Sequence, residues 1–307
     1  MTEVAFAGAI ELGLVFGFVA LGIFISFRIL NFPDLTADGS LPLGAAVAAT
    51  AISSGWNPSM ATATATVAGA IAGLTTGVLS LRFKILGLLA GILTMTALFS
   101  INLRIMGKPN IALLGEATVF SWLQAGPIPY PWSTVTLLAA LTAVICLLLW
   151  WFLCTDFGLA MRATGVNARM ASANGVNTHL TTYVGLAMSN ALIALSGALF
   201  AQSNAFADVT IGIGTIVVGL ASVILGETLH RSRSLLLAVL ATVIGSLLYR
   251  LAVQFALSSG AIGLRPSDLS LITAVLVAVA MVLPQLRFRT TRLVRSTSRA
   301  GKPGEAK

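Results

Sequence analysis

A polytopic all-α transmembrane helical bundle, with about nine crossings and two inverted repeats built on broken helices, is the fold class this sequence predicts. Three observations carry that prediction. Hydrophobic residues make up 57% of the 307 positions and charged residues only 9%, too apolar a balance for a soluble domain of this length. Apolar runs of spanning length recur along the chain, separated by charged, Pro or Gly punctuation. Phe32-Pro33-Asp34-Leu35-Thr36 returns 174 residues later as Phe206-Ala207-Asp208-Val209-Thr210, each copy standing between two apolar runs. Duplicated, interrupted segments of this kind frame solute pathways.

The apolar runs fall at about 4–30, 40–55, 58–81, 85–103, 133–154, 181–203, 211–229, 234–259 and 268–286. The first continues past a signal core and follows Glu3 with no basic residue, so no cleavable signal is expected. The runs at 40–55 and 211–229 are short and Gly-interrupted. They read as half-spans or tilted helices meeting unwound backbone at 34–39 and 208–214, which membrane depth tolerates only where protein or water satisfies it. Gly69, Gly73 and Gly77 repeat every fourth residue, a packing face for another helix and, more weakly, a dimer face.

Polar stripes mark two further spans. Thr94, Met95, Thr96, Ser100 and Asn102 lie on the fourth; Ser189, Asn190, Ser196, Gln202, Ser203 and Asn204 lie on the sixth. Each stripe either lines a pathway or makes interhelical hydrogen bonds of about 0.6 kcal/mol apiece. Repeat units of about 4–103 and 181–286 are expected, linked by 104–180 with one span and a cytoplasmic loop. A transmembrane domain of 1–286 then precedes a basic tail at 287–307, expected to be disordered. Cys146 and Cys154 share one helical run and cannot pair. Trp56, Trp122, Trp132, Trp150, Trp151 and Tyr130 cluster near span ends as an aromatic belt.

Lys and Arg set the orientation. With the N-terminus outside and nine crossings, the inner side holds Arg28, Arg82, Lys84, Arg162, Arg169, Arg231, Arg233 and seven tail residues, and the outer side only Arg104, Lys108 and Arg265. The C-terminus is then cytoplasmic, and the two repeats enter from opposite sides. The net charge of +8 reports orientation and lipid contact and gives no support for nucleic-acid binding.

The loop after the fifth span is the second informative stretch. Gly158 and Arg162 lead into Thr-Gly165-Val-Asn167, and Asn174-Gly175-Val-Asn177 follows ten residues on, each a helix stop through Gly or Asn in a left-handed conformation. Between them, Ala168 to Ala173 should form a short helix exposing Arg169 and Met170. That helix is either grasped by another protein or lies on the lipid interface.

Arg28 to Ser40, the Gly158 to Asn177 loop and Gly219-Leu-Ala-Ser-Val-Ile-Leu-Gly226-Glu together resemble the permease subunits of bacterial ABC importers. The likeness is to the branched-chain amino acid and ribose permease superfamily, in the branch linked to aromatic amino acid uptake, and it covers the chain to about residue 286. It implies a multi-pass permease of the bacterial inner membrane, two cytoplasmic ABC ATPase subunits, an extracytoplasmic substrate-binding protein and a second permease chain, as a homodimer. The Gly158 to Asn177 loop would be the ATPase-coupling element. Consistent with a borrowed energy source, the chain has no Gly-x-x-x-x-Gly-Lys-Ser/Thr loop. The branched-chain branch has Asn-Phe-Ala-His-Gly where this chain has Asn31-Phe32-Pro33-Asp34-Leu35-Thr36, which leaves a branched-chain substrate open to question.

Candidate pathway or substrate residues are Asn31, Asp34, Thr36, Thr94, Thr96, Asn190, Asn204, Asp208 and Thr210. Asp34 and Asp208 either cap the helices that follow or act in the pathway, binding a substrate amine or marking the gate, and both roles put them near the pseudo-twofold axis. Asp38 is expected to be solvated. Arg28 should snorkel, and Arg250, deeper in its span, needs an internal partner, for which Glu227 is the candidate. His179 and His230 at span ends lack the company a metal or protease site needs, so neither catalysis, a cofactor nor a metal is expected. The alternatives to an importer permease are a self-sufficient ion-coupled secondary transporter and a nontransporting scaffold.

Overall fold

A computed structural model describes residues 3–121, 132–229 and 234–258, together with 275 and 278. The ninth apolar run apart from those two positions, the basic tail, Trp122, Tyr130, His230, Arg231, Arg233 and Arg265 lie outside the described residues.

Helix α1 (Glu3–Ile23) continues as a π-helix over Phe24–Ile29, and together they make one 27-residue span about 40 Å long. After a non-helical stretch come α2 (Ala37–Ser53), α3 (Pro58–Leu81) and α4 (Gly87–Met106). A three-residue strand β1 (Asn110–Ala112) precedes α5 (Trp132–Cys154) and the short helices α6 (Asp156–Val166) and α7 (Ala168–Ala173). Helix α8 (Thr178–Asn204), strand β2 (Phe206–Asp208), α9 (Thr215–Leu229) and α10 (Leu235–Ser258) follow.

Six helices are long and apolar enough to cross a membrane among the described residues: extended α1, α3, α4, α5, α8 and α10. The 17 residues of α2 and 15 of α9 reach only about 26 and 23 Å, short of a hydrocarbon core of about 30 Å. The runs at 40–55 and 211–229 are therefore half-helices.

Contacts fix the direction of each helix. Ser189 Oγ donates to the Gly22 carbonyl and Ser196 Oγ to that of Val15, so α8 runs antiparallel to α1. Ser40 Oγ donates to Asn190, and Gly44 lies against Ala194, so α2 runs parallel to α8, back toward the Glu3 side. On α3, Gly69, Gly73 and Gly77 descend along Ala194, Leu186 and Tyr183. The glycine stripe is thus an internal contact with α8 and no dimer face: a Cβ at Gly73 would fall on the Leu186 carbonyl. In the second unit α10 is antiparallel to α1, with Ser246 Oγ on the Gly13 carbonyl and Gly17 against Val243.

The two units consequently run in opposite senses. In the first, α1 crosses from the Glu3 side, the chain turns back, and α2 returns halfway. In the second, α8 crosses toward the Glu3 side, the chain turns back, and α9 descends halfway to Glu227. Helix α1 is the axis of the bundle: 78% of its most apolar 18-residue stretch is buried, against 28% of the corresponding stretches of α4 and α5. At the Glu3 side β1 pairs antiparallel with β2, setting Asn110 opposite Asp208.

Candidate functional site

Both breaks are built from one backbone device. Asn31 and Ala205, also 174 residues apart, have φ of 53° and 58°, the left-handed region that side-chain-bearing residues enter only when held there. Each is followed by the Phe-x-Asp-x-Thr copy, and in each the Thr N–H donates to the Asp carboxylate: Thr36 to Asp34 at 2.9 Å and Thr210 to Asp208 at 2.7 Å. Each aspartate thus closes an Asx-turn inside its break and caps neither half-helix: α2 starts at Ala37 with no side-chain cap, and α9 starts at Thr215, beyond the Asp208 turn.

Their surroundings differ. Asp34 is buried and also accepts from Asn190 Nδ2 at 2.7 Å; Asn190 in turn takes the Ser40 hydroxyl on its Oδ1. Asp208 lies at the Glu3 side, accepting from the Thr210 hydroxyl and from Asn110. Burial pushes the Asp208 carboxyl up, but the Thr210 and Asn110 hydrogen bonds outweigh it and hold the group below the usual carboxylate range. Asp34 bonds to Asn190 in mid-helix α8, whereas Asp208 follows its end, about 20 Å along by helical rise. The two aspartates do not meet at the axis.

Asp38 does. Its partner under the 174-residue offset is Gly212, and the two touch: the Asp38 carbonyl occupies the place a Gly212 side chain would take. The Asp38 carboxylate accepts the Ile216 N–H at 2.9 Å and the Gly214 N–H at 3.4 Å, capping α9 from the first turn of α2. It is half-buried, so the expectation of a solvated Asp38 is corrected. Two helix N-termini face each other at mid-depth, and one carboxylate answers the positive ends of both. Repeat alignment continued two residues past Thr36 would have placed Asp38 on the axis.

The other pathway candidates separate by burial. Thr36, Thr76 and Thr94 form a hydroxyl chain, 2.7 and 2.9 Å, that ties the first break to α3 and α4. Asn190, Ser189 and Ser196 bind neighbouring helices, and Gln202 donates to Thr62. These polar groups are sealed in helix contacts. Thr96 is exposed, with its hydroxyl on its own helix at Ile92 and Leu93; Asn204 is exposed and donates to Phe200; Thr210 and Asn31 are exposed at the two breaks. The polar stripe of α4 thus splits, because Thr94 and Asn102 face α2 and α3 while Thr96 and Ser100 face away.

Charge pairing also departs from expectation. Arg28 Nε meets Glu227 Oε1 at 2.5 Å, joining the ends of the π-helix and α9, so Glu227 is not the partner of Arg250 and Arg28 does not merely snorkel. Arg250 instead lies over the Phe16 ring, 3.7 Å from its centroid. Glu11, which sequence reading passed over inside the first span, is half-buried. Among the described residues no cluster of His, Cys, Asp and Glu could hold a metal ion.

The loop after α5 is two helices at an elbow. Thr155 caps α6 through the Gly158 N–H, Asn167 caps α7 through that of Met170, and Asn177 caps α8 through that of Leu180. At the second stop Gly175 is left-handed, φ +84°. At the first the backbone is extended at Asn167, φ −157°, while Gly165 is helical and presses on the Ile29 carbonyl, where a side chain could not fit. Helix α6 is held by buried Gly158, Met161 and Thr164, with Arg162 half-buried beside them. Helix α7 buries only Ala171 and holds out Arg169 and Met170, the latter 65% exposed.

Comparison with known proteins places this architecture. The chain is 42% identical over 264 residues, 86% of both chains, to the tyrosine transport system permease protein of Clostridioides difficile (strain R20291). It is 38% identical over 186 residues to an uncharacterized protein of Rickettsia prowazekii (strain Madrid E), covering 61% of this chain and 64% of that one. The fold matches PsaBC from Streptococcus pneumoniae, solved in complex with Fab, at TM-score 0.51 and 17% identity over 91% of this chain and 90% of that one. Residues 6–291 match the family model for the permease component of branched-chain amino acid transport systems. This chain belongs to that family of multi-pass membrane permease components.

Proposed function

We propose that the chain is the membrane permease of an ATP-driven importer that carries an amino acid, with tyrosine the first candidate, into the cytoplasm. The observation that supports ATP coupling most directly is α7: a capped helix held out from the bundle with Arg169 and Met170 free to meet a partner. The substrate assignment draws on the relative named for tyrosine transport and on the departure of the first break from Asn-Phe-Ala-His-Gly.

In this reading the Glu3 side is outside and α6 and α7 are cytoplasmic. A binding protein delivers solute at the β1–β2 side, and two copies of the chain enclose the route. Closure of the ATPases pushes α7 and α6. Gly165 passes that motion to the backbone at Ile29, beside the Arg28–Glu227 pair and so next to both a full span and a half-helix. The inverted units then rock about the Asp38–Gly212 contact. Gating at the meeting point of broken helices is the expected mechanics of inverted-repeat transporters.

The test is reconstitution of the permease with the ATPase and binding protein, with imported amino acids identified by mass spectrometry. Replacing Arg169 with Glu and Met170 with Ser together should abolish most ATPase co-purification while membrane insertion is unchanged. Undiminished co-purification would remove α7 from the coupling role.

A further inference from the structure

We propose that Arg250 is a recognition point for the carboxylate of the transported solute, an inference that rests on the amino-acid importer reading. A cation in a membrane span has three ways to be tolerated: an acidic partner, escape to the interface, or a polar occupant of the pathway. Among the described residues the first two are closed. The acid nearest in sequence, Glu227, is engaged by Arg28, and no carboxylate lies within ion-pair distance of Arg250 among the described residues.

Escape is ruled out by direction. Helix α10 rises toward the outer side, so its side chains lean back toward the membrane middle. The Arg250 Cβ lies beside Gly13, but its guanidinium lies over Phe16, which is three residues deeper on α1. Phe16 is thirteen residues in from Glu3, about 20 Å along a span of about 40 Å. The charge therefore sits at mid-depth. Its Nε is shut off from solvent without an acceptor among the described residues, and the ring face beneath it offers attraction but no lone pair.

That level is also where the half-helices meet. Gly219 of α9 packs on Ile23 and Val19, so Thr215, one turn nearer the outer side, stands near the height of Phe16. A solute held at the junction would present its polar end at the level of the guanidinium. Guanidinium forks match carboxylates in shape and charge. Phe16 also meets Phe200 edge-on at 6.3 Å, and Phe200 meets Phe206 edge-on at 6.0 Å, an aromatic series reaching the outer break. These surroundings suit an amino acid with an aromatic side chain.

The test uses vesicles containing the permease, its ATPase and the binding protein, supplied with a mixture of L-amino acids. Arg250→Gln should lower import of the transported amino acid at least about tenfold, because truncating one side of a desolvated charge pair costs more than a decade. ATPase association should stay at the parental level. Arg250→Lys keeps the charge and loses the fork, so it should retain part of the import; this variant decides the matter if the Gln variant fails to assemble. Calorimetric titration of the unaltered permease–ATPase complex, without binding protein, should show the amino acid binding more tightly than its decarboxylated amine. Parental import by the variants, or equal binding of the amine, overturns this inference alone. Import restricted to solutes without a carboxylate overturns it together with the amino-acid reading.

Discussion

At the scale of single residues, Asp38 holds the position that organises the centre. It sits in the first turn of α2, where a negative charge already favours its own helix, and its carboxylate also caps α9. An N-cap carboxylate lost to alanine costs about 0.5–2 kcal/mol, and here the lost group leaves two helix starts facing each other. Asp38→Ala should therefore lower the thermal stability of the purified permease by about 2 kcal/mol, with Asp38→Asn losing less because the amide oxygen still accepts. A melting curve unchanged by the alanine variant would mean that water replaces the carboxylate. Asp34 shows how far residue type alone could be read. Its identity allowed a cap or an amine ligand; burial beside Asn190 and the turn bond from Thr36 put it in the framework of the break.

At the scale of elements, the half-helix α9 is held at both ends by the first unit. Asp38 meets its start and Arg28 its last turn, while Gly219 and Gly226 bring its flanks onto α1 and α10. The end contacts are unequal in strength. The Arg28 and Glu227 side chains are 63% and 39% exposed, and pairs this open contribute about 0–1 kcal/mol. Arg28→Glu should thus change the melting temperature little, and combining it with Glu227→Arg should return whatever was lost. A large loss in the single variant would show that the pair is desolvated in the assembled protein. The π-helix carrying Arg28 ends at Ile29, two residues before the left-handed Asn31, a local irregularity of the sort that concentrates at working sites.

At the scale of the whole molecule, inversion is what the charge pattern and the helix directions describe together. Basic residues crowd the side on which α6 and α7 lie, which in the proposed orientation faces the cytoplasm. With Cys154 replaced by Ser, a Met170→Cys variant should react with a membrane-impermeant maleimide in inside-out vesicles and not in right-side-out ones. Reaction in right-side-out vesicles would reverse the orientation and remove the proposed ATPase contact.

Helix existence, the broken repeat, the short helix at Ala168–Ala173 and the family were legible in the sequence, because apolar period, Gly and Asn stops and a recurring pentapeptide are local properties. The partners of the polar residues were not. Whether Thr94 and Asn190 face a neighbour or an opening depends on how helices distant in the chain rotate against each other, and no single span encodes that angle. Tertiary structure gave Arg28 to Glu227 and left Arg250 on Phe16, and it moved the pseudo-twofold axis from the Asp34–Asp208 pair to Asp38 and Gly212. The physical reason is the same in each case: hydrophobicity selects which segments enter the membrane, while close backbone approach at small residues selects which polar groups then meet.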